Sequence, residues 1–149
     1  MTRKRPSPIN VLVVDDDPVD RQLIETAFKE EGGKVRVHQC ENAEQALAFL
    51  RAEGAHKKRP LPDACILDIN MPKTTGLELL KVIKTDPVLR KTSVVMMSSS
   101  DDQKDIEASY DLQAAFYVRK PENYRDLRSV VAKITDLWTK VVALPAHSG

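Results

Sequence analysis

The sequence predicts an α/β protein built on a parallel sheet. Short β-branched, apolar runs alternate with amphipathic stretches of 10 or more residues, which is the pattern of repeated βα units. Four of the five predicted strands stop at a polar residue. A length of 149 residues leaves room for one ordinary domain. We expect a single domain over 1–149, with a core at about residues 8–143 and loosely ordered ends at 1–7 and 145–149.

The first predicted βα unit is the N-terminal part of the core. Residues 9–14 read as a buried strand that ends in three aspartates at positions 15–17. Pro18 falls where the first turn of a helix tolerates proline, and apolar residues recur behind it at helical spacing. The glycines at 32–33 are expected to end this helix.

The second and third units repeat the pattern. Residues 35–40 alternate like a half-exposed strand, and a helix follows Asn42, a capping residue with Gln three positions on. A polar insert at 54–60 reads as a solvated loop. The third strand, 64–67, is uniformly apolar and ends at Asp68, before a turn-rich loop and a third helix.

The fourth and fifth units complete the chain. Residues 94–97 read as a buried strand that ends at Ser98. The helix expected over 101–112 has only a thin apolar stripe, so it is weakly anchored and could shift at modest cost. Residues 116–119 read as a last buried strand that ends at Lys120, and a long amphipathic helix follows.

Composition argues against several classes of partner and location. The 23 basic residues nearly cancel the 22 acidic ones, so no overall field draws the chain to nucleic acid or to an anionic membrane. No stretch approaches the roughly 20 apolar residues of a membrane span. Cys40 and Cys65 have no metal-ligand spacing and suit small buried hydrophobes in a reducing compartment. We expect a soluble cytoplasmic protein.

The polar residues at the strand ends are expected to form one site. In an open parallel sheet, ligands bind outside the carboxyl ends of the strands. Carboxylates crowded together repel one another unless a cation holds them ionised, and Mg²⁺ suits this role because it prefers oxygen ligands. Asp16 and Asp68 could supply the carboxylates. Asp15 could act through a bound water, and the backbone carbonyl of Asn70 could add a ligand.

Two further groups would let this site handle a phosphoryl group. Lys120 is the one cation predicted inside the crevice, and its ammonium can pair with a carboxylate or with a phosphoryl oxygen. Ser98 is the best placed of the three serines at 98–100 to offer a hydroxyl donor. A carboxylate that faces a metal-bound phosphoryl donor can act as a nucleophile and form an aspartyl phosphate, a reaction that needs mainly positioning and charge neutralisation.

These residues resemble the receiver domain of two-component response regulators, in the family's order and at its spacing, over essentially residues 8–143. The matching segments are Val13-Val14-Asp15-Asp16-Asp17-Pro18, Leu67-Asp68-Ile69-Asn70-Met71-Pro72, Gly76, Ser98 and Tyr117-Val118-Arg119-Lys120-Pro121. The fold that the resemblance implies is a doubly wound, flavodoxin-like parallel sheet of five strands in the order 2-1-3-4-5, with five helices.

The resemblance also implies a role for each residue of the site. Asp68 is the phosphoacceptor. Its phosphorylation and dephosphorylation are self-catalysed, and no separate substrate is turned over. Asp15 and Asp16 form the Mg²⁺ site with Asp68. Ser98, Lys120 and the backbone of Ser99 bind the phosphoryl group. Ser98 and the switch aromatic Tyr117 form the switch. Ser98 stands where Thr is commoner, which removes a methyl group and keeps the donor.

A narrower resemblance points to a partner. Several features are similar to the single-domain regulators that serve bacterial phytochrome histidine kinases: the polar insert, Lys84-Thr85-Asp86-Pro87, Ser109-Tyr110-Asp111-Leu112, and Trp138 in an extended last helix. The partners that the resemblance implies are a histidine kinase of the bacteriophytochrome type and a downstream protein or phosphotransfer protein.

Two alternatives to this interpretation stay open. Residues 15–19 can be read as the Asp-x-Asp motif of haloacid-dehalogenase-like phosphatases, with Ser98 and Lys120 as the later hydroxyl and lysine. That reading leaves Asp68 without a role, and the acidic residues after Lys120 lie on a predicted helix. The other alternative is a degenerate receiver that binds partners without phosphate, although every chemical position is filled.

The end of the last helix predicts a homodimer. A strand of five or six residues spans about 17–20 Å, which a helix of about 12 residues covers. A helix over 123–143 should therefore overhang the sheet by two turns, and an exposed apolar patch there usually marks a partner surface, most often a second copy. The patch residues are Trp138, Val141, Val142 and Leu144. In the alternative, the helix bends back and Trp138 caps the core.

Overall fold

The computed structural model describes residues 8–53 and 60–145. The polar insert expected before the third strand and the loose ends expected for the chain lie almost entirely outside the described residues. The five strands form one parallel sheet in the order β2-β1-β3-β4-β5. They are β1 (Ile9–Val14), β2 (Val35–Cys40), β3 (Ala64–Leu67), β4 (Ser93–Ser98) and β5 (Phe116–Arg119). The predicted fold class and strand order are confirmed.

Five α-helices cover the two faces of the sheet. They are α1 (Pro18–Lys29), α2 (Ala43–Leu50), α3 (Gly76–Thr85), α4 (Gln103–Asp111) and α5 (Tyr124–Asp136). Buried side chains of α1 and α5 pack with one face of the sheet, and those of α2 and α3 pack with the other. The core therefore has two halves, as expected for a sheet whose central strands are apolar on both sides.

Local sequence explains where the first helix begins. The Asp17 side chain accepts hydrogen bonds from the backbone N–H groups of Val19 and Asp20, and Pro18 occupies the first helical position. The helix ends at Lys29, before the predicted glycines. Those glycines lie in the turn that follows, both with positive φ, so they shape the reversal into β2.

Strand β5 corrects one expectation. Its apolar letters predict a buried strand, yet Phe116, Tyr117 and Val118 are half-buried and Arg119 is exposed. β5 is the edge of the sheet, and its cover, α4, buries only Ser109. Light packing of this edge is the reason that an apolar run stays partly accessible here, and it agrees with the thin stripe read from the sequence.

The end of the chain corrects a second expectation. The last α-helix ends at Asp136 and continues as a π-helical turn over Leu137–Val141 instead of running straight to 143. Trp138 is only 2% exposed and packs with α1 and α5, and Leu144 packs partly buried against the same core. The exposed position expected for Trp138 is therefore wrong, as in the alternative in which Trp138 caps the core, whereas Leu144 is only half-buried.

Three smaller points bear on function. Val141 and Val142 remain 72% and 41% exposed, so only half of the predicted patch faces outward. Cys40 and Cys65 are unpaired and buried, and burial raises the pKa of their thiols to about 11 and about 12. Among the described helices, none has the length and apolar character needed to cross a membrane.

Candidate functional site

The register of the sheet brings the predicted site residues to one edge. Val14 pairs with Leu67, and Asp68 N–H donates to the Val14 carbonyl at 2.9 Å. On the other side, Lys120 N–H donates to the Ser98 carbonyl at 2.8 Å. Residues that immediately follow the apolar strands thus become neighbours across the sheet, as parallel pairing requires.

Three carboxylates form a group that could hold a metal ion. Asp15, Asp16 and Asp68 each offer one oxygen, and these oxygens lie within 4.8 Å of one another. Asp15 and Asp68 are buried, whereas Asp16 faces solvent. Asp68 Oδ1 is buried and has no hydrogen-bond partner in the described part of the chain. An unpartnered, buried carboxylate oxygen in an acidic cluster fits a hard divalent cation, which supplies the missing positive charge.

Lys120 lies among the same carboxylates. Its Nζ is 2.9 Å from Asp15 Oδ2, 2.9 Å from Asp20 Oδ2 and 3.7 Å from Asp68 Oδ2. Burial alone would lower the pKa of Lys120, but the hydrogen bonds to Asp15 and Asp20 and the charge of Asp68 raise it above its ordinary value. The ammonium is therefore charged at neutral pH and bridges α1 to the strand ends.

Whereas the surroundings of Lys120 favour its charged form, those of Asp68 favour the neutral form. Burial raises the pKa of its carboxyl group; the charge of Lys120 acts against this, the charge of Asp15 adds to it, and the net direction is upward. Backbone N–H groups of Ile69 and Asn70 also favour the charged form. In the metal-free protein the ionised Asp68 is thus a source of instability.

This imbalance predicts that Asp68→Asn stabilises the metal-free protein. An amide at this position carries no charge, so at neutral pH in EDTA the free energy of unfolding should rise by on the order of 1 kcal/mol. Below the ordinary pKa of a carboxyl group the native Asp68 is neutral and bears no penalty, so the gain should shrink as the pH falls through the raised pKa. Urea unfolding of both proteins across that range measures this, and a less stable variant at neutral pH would contradict it.

The β4–α4 loop connects the site to the edge of the sheet. Ser98 is fully buried, and its Oγ accepts a hydrogen bond from Ser100 N–H at 3.3 Å. Ser100 Oγ donates to Asp105 in α4 at 2.7 Å, and Tyr117 Oη donates to the Ser100 carbonyl at 2.6 Å. A displacement of this loop would therefore be felt by both Tyr117 and α4.

Some residues of the site were missed or given no role by sequence reasoning. Asp20 is within hydrogen-bonding distance of Lys120, and Arg21 Nη1 donates to the Asp15 carbonyl at 2.7 Å. Gly76 lies against the backbone of Asp68, where an added Cβ would be 1.9 Å from the Asp68 carbonyl oxygen. The position of Asp20 in the first turn of α1 could have indicated its place near the site, because a helix that starts just after a site strand has its first turn beside the site.

Known proteins share this fold and this sequence pattern. The family model of the response regulator receiver domain matches residues 11–132. Response regulator Rcp1 from Synechocystis sp. is 33% identical over 93% of this chain and 95% of its own length. The crystal structure of the phosphorylated cyanobacterial phytochrome response regulator RcpA is similar with a TM-score of 0.88 and 34% identity, over 94% of this chain and 100% of that one. The crystal structure of the Mn²⁺-bound form of response regulator Rcp1 is similar with a TM-score of 0.85 and 33% identity, over 93% of this chain and 100% of that one.

The fold and the acidic strand-end site define a receiver domain. The chain belongs to the response regulator receiver family of two-component signalling, and it is homologous to response regulator Rcp1 and to the cyanobacterial phytochrome response regulator RcpA. It is accordingly a phosphorelay protein rather than an enzyme that turns over a separate substrate. The phosphatase and the phosphate-independent binding module gain no support. Asp126, one of the acidic residues after Lys120, lies in α5 and accepts a hydrogen bond from Asn123.

Proposed function

We propose that this receiver domain takes up a phosphoryl group on Asp68 from a phosphohistidine of a histidine kinase and signals through protein contacts that depend on it. The observation that carries the proposal is Asp68 Oδ1, a buried oxygen without a described partner, beside an acidic pair and an ammonium. Other carboxylates of the group are engaged differently: Asp15 accepts from Lys120 and from Asp17 N–H, and Asp16 is exposed.

The proposed reaction is a transfer of one phosphoryl group. An Asp68 carboxylate oxygen forms a bond to phosphorus, and the bond from phosphorus to the donor atom breaks, with its electron pair leaving on the donor. With phosphohistidine the donor atom is an imidazole nitrogen, and with acetyl phosphate it is the bridging oxygen of acetate. Lys120 and Ser98 would hold the phosphoryl oxygens, together with the backbone N–H of Ser99. Hydrolysis of the aspartyl phosphate returns Asp68 and inorganic phosphate.

Receiver domains bind a divalent metal at their acidic cluster, and the similar Rcp1 structure holds Mn²⁺. For this chain we propose Mg²⁺, with Asp15, Asp16, Asp68 and the Asn70 carbonyl as the residues that would hold it or its waters. When bound, the metal neutralises negative charge on the carboxylates and on the phosphoryl group. The donor set consists only of oxygens, which is what a hard divalent cation requires.

Phosphorylation should therefore require a divalent metal. We expect labelling by radioactive acetyl phosphate to fall to background in EDTA and to return when Mg²⁺ is added in excess. Asp16→Asn should need much more Mg²⁺ for the same rate, because it removes one carboxylate from a site with few protein ligands. Undiminished labelling in EDTA would refute the mechanism.

The kinase partner follows from the similarity to phytochrome response regulators. We propose that a bacteriophytochrome histidine kinase donates the phosphoryl group to this chain. Rapid phosphotransfer profiling against the purified histidine kinases of the source organism tests it. A phytochrome kinase should transfer fastest at short times, and a consistent kinetic preference for a kinase without a phytochrome sensor would contradict the proposal.

The readout surface is proposed to be α4, β5 and α5. Tyr117 contacts the loop after Ser98, and α4 is lightly buried, so a phosphoryl group that pulls on this loop can shift the whole face. Amide hydrogen exchange with and without beryllofluoride, a phosphoryl mimic, should change most between residues 98 and 125. A change confined to α1 or α2 would argue against this face.

We also propose a domain organisation, a location and an oligomeric state for this chain. The chain acts as one receiver domain over about 8–143, and it works in the cytoplasm, where unpaired buried cysteines such as Cys40 persist. Homodimerisation stays a prediction, resting now on Val141 and Val142 alone at the chain end. Sedimentation of the protein at tens of micromolar distinguishes monomer from dimer.

A further inference from the structure

Lys120 is held by a carboxylate that lies outside the acidic metal group. Asp20 Oδ2 is 2.9 Å from Lys120 Nζ, the same distance as Asp15 Oδ2, while Asp68 Oδ2 is 0.8 Å farther away at 3.7 Å. The resting ammonium is thus bonded to two aspartates and only in looser contact with the proposed phosphoacceptor. An ammonium has three donors, so two of them are already used.

Among the described residues, the carboxylate of Asp20 contacts no hydrogen-bonding partner other than Lys120. It lies in the first turn of α1, and the described part of the chain gives its carboxylate one partner, Lys120. Asp15, in contrast, is buried, belongs to the proposed metal group and also accepts from Asp17 N–H. The side chain of Asp20 is 32% exposed and that of Asp15 3%. Water can therefore replace Lys120 at Asp20 far more readily than at Asp15.

We infer that Asp20 is a positioning residue that holds Lys120 in its resting place and competes with the incoming phosphoryl group for the ammonium. The inference rests on the proposed function, in which Lys120 contacts a phosphoryl group on Asp68. To make that contact, the ammonium must loosen at least one of its two short bonds. The bond to Asp20 is the one that yields, because its carboxylate is rehydrated as it is released. Asp20 thereby slows phosphoryl uptake and weakens the binding of phosphoryl mimics.

The test begins with Asp20→Asn, which keeps the shape of the side chain and removes its charge. The rate constant for labelling by acetyl phosphate at saturating Mg²⁺ should rise about two- to fivefold, the range expected for loss of a partly exposed ion pair. The affinity for beryllofluoride, measured by titration calorimetry, should rise by a similar factor. A merely structural role for Asp20 would lower both quantities or leave both unchanged.

The matched control is Asp17→Asn. It removes one negative charge from the same end of α1, and Asn can still cap the helix as Asp17 does. Its side chain accepts from backbone N–H groups of α1 and does not contact Lys120. Any gain seen in Asp17→Asn measures the general effect of lowering the negative charge, so the excess gain in Asp20→Asn measures the contact.

A double-mutant comparison isolates Lys120. In a Lys120→Met background, which is labelled slowly, adding Asp20→Asn should bring no gain beyond that of Asp17→Asn. The inference is overturned if Asp20→Asn slows labelling, matches Asp17→Asn in the native background, or accelerates the Lys120→Met protein equally. Failure of the proposed function would look different: Lys120→Met or Asp68→Asn would then be labelled as fast as the native protein.

Discussion

Replacement of Asp68 by Asn will abolish uptake of a phosphoryl group. The amide is a far weaker nucleophile than a carboxylate, and it also removes one of the three carboxylates that would hold the metal. Acid-stable, hydroxylamine-labile label from acetyl phosphate or a phosphorylated kinase should fall to background. Because the same change should stabilise the metal-free fold, we expect the variant to stay folded during the assay.

Asp17→Asn serves as the control for this experiment as well. It lies at the same end of the sheet and changes the charge by the same amount, but it leaves Asp68 intact. This control should label at least as well as the native protein. Native-like labelling of Asp68→Asn would mean that another residue is the acceptor, and the assignment would be wrong.

Replacement of Gly76 by Ala will damage both the fold and the site. An added Cβ would lie 1.9 Å from the Asp68 carbonyl oxygen and 2.7 Å from its carbonyl carbon, so the backbone of Asp68 must move. Overpacking of this kind costs about 1–3 kcal/mol in unfolding free energy. A displaced Asp68 should also react several times more slowly, because small errors in position are costly in a reaction that depends on alignment. Urea unfolding and labelling kinetics measure the two effects.

Gly33→Ala provides the comparison for Gly76→Ala. Gly33 has a φ of +76° and no neighbour within 4 Å of an added Cβ, so Ala there is strained only in its own backbone. We expect a loss of stability of about 1–2 kcal/mol with an unchanged labelling rate. If both variants labelled equally well at a temperature where both are folded, close packing under Asp68 would have no bearing on the reaction.

Most of the site could be predicted from sequence because it depends on where strands end. Asp15 and Asp68 directly follow β1 and β3, and Lys120 directly follows β5. Apolar runs mark these ends, and parallel pairing then brings them to one edge. Knowledge of the exact side-chain contacts is not needed for this step.

Asp20 could not be predicted in the same way. It is separated from Lys120 by 100 residues, and their contact depends on how α1 packs beside the turn between β5 and α5. The apolar spacing of α1 indicates which face is buried but not which polar residue of its first turn reaches a distant lysine. Tertiary packing of this kind is set by all the neighbours together.

The chain end shows a second limit. The apolar spacing continues past Asp136, so the periodic pattern predicts an uninterrupted helix, and the length of that helix relative to the strands predicts an overhang with an exposed Trp138. Trp138 instead follows Val131 and Ile134 on the buried stripe of α5 and belongs to the core. Similarly, the composition of β5 indicates a buried strand, whereas its accessibility follows from its place at the edge and from the light cover of α4.

The most direct measurement of the central claim is to locate the phosphoryl group on the native chain. Borohydride reduces an acyl phosphate to an alcohol, so the phosphorylated aspartate becomes homoserine and can be found by peptide mass spectrometry. After treatment with acetyl phosphate and Mg²⁺, we expect homoserine at position 68 and none in the EDTA control. Homoserine at Asp15, Asp16 or Asp20 with native aspartate at position 68 would contradict it.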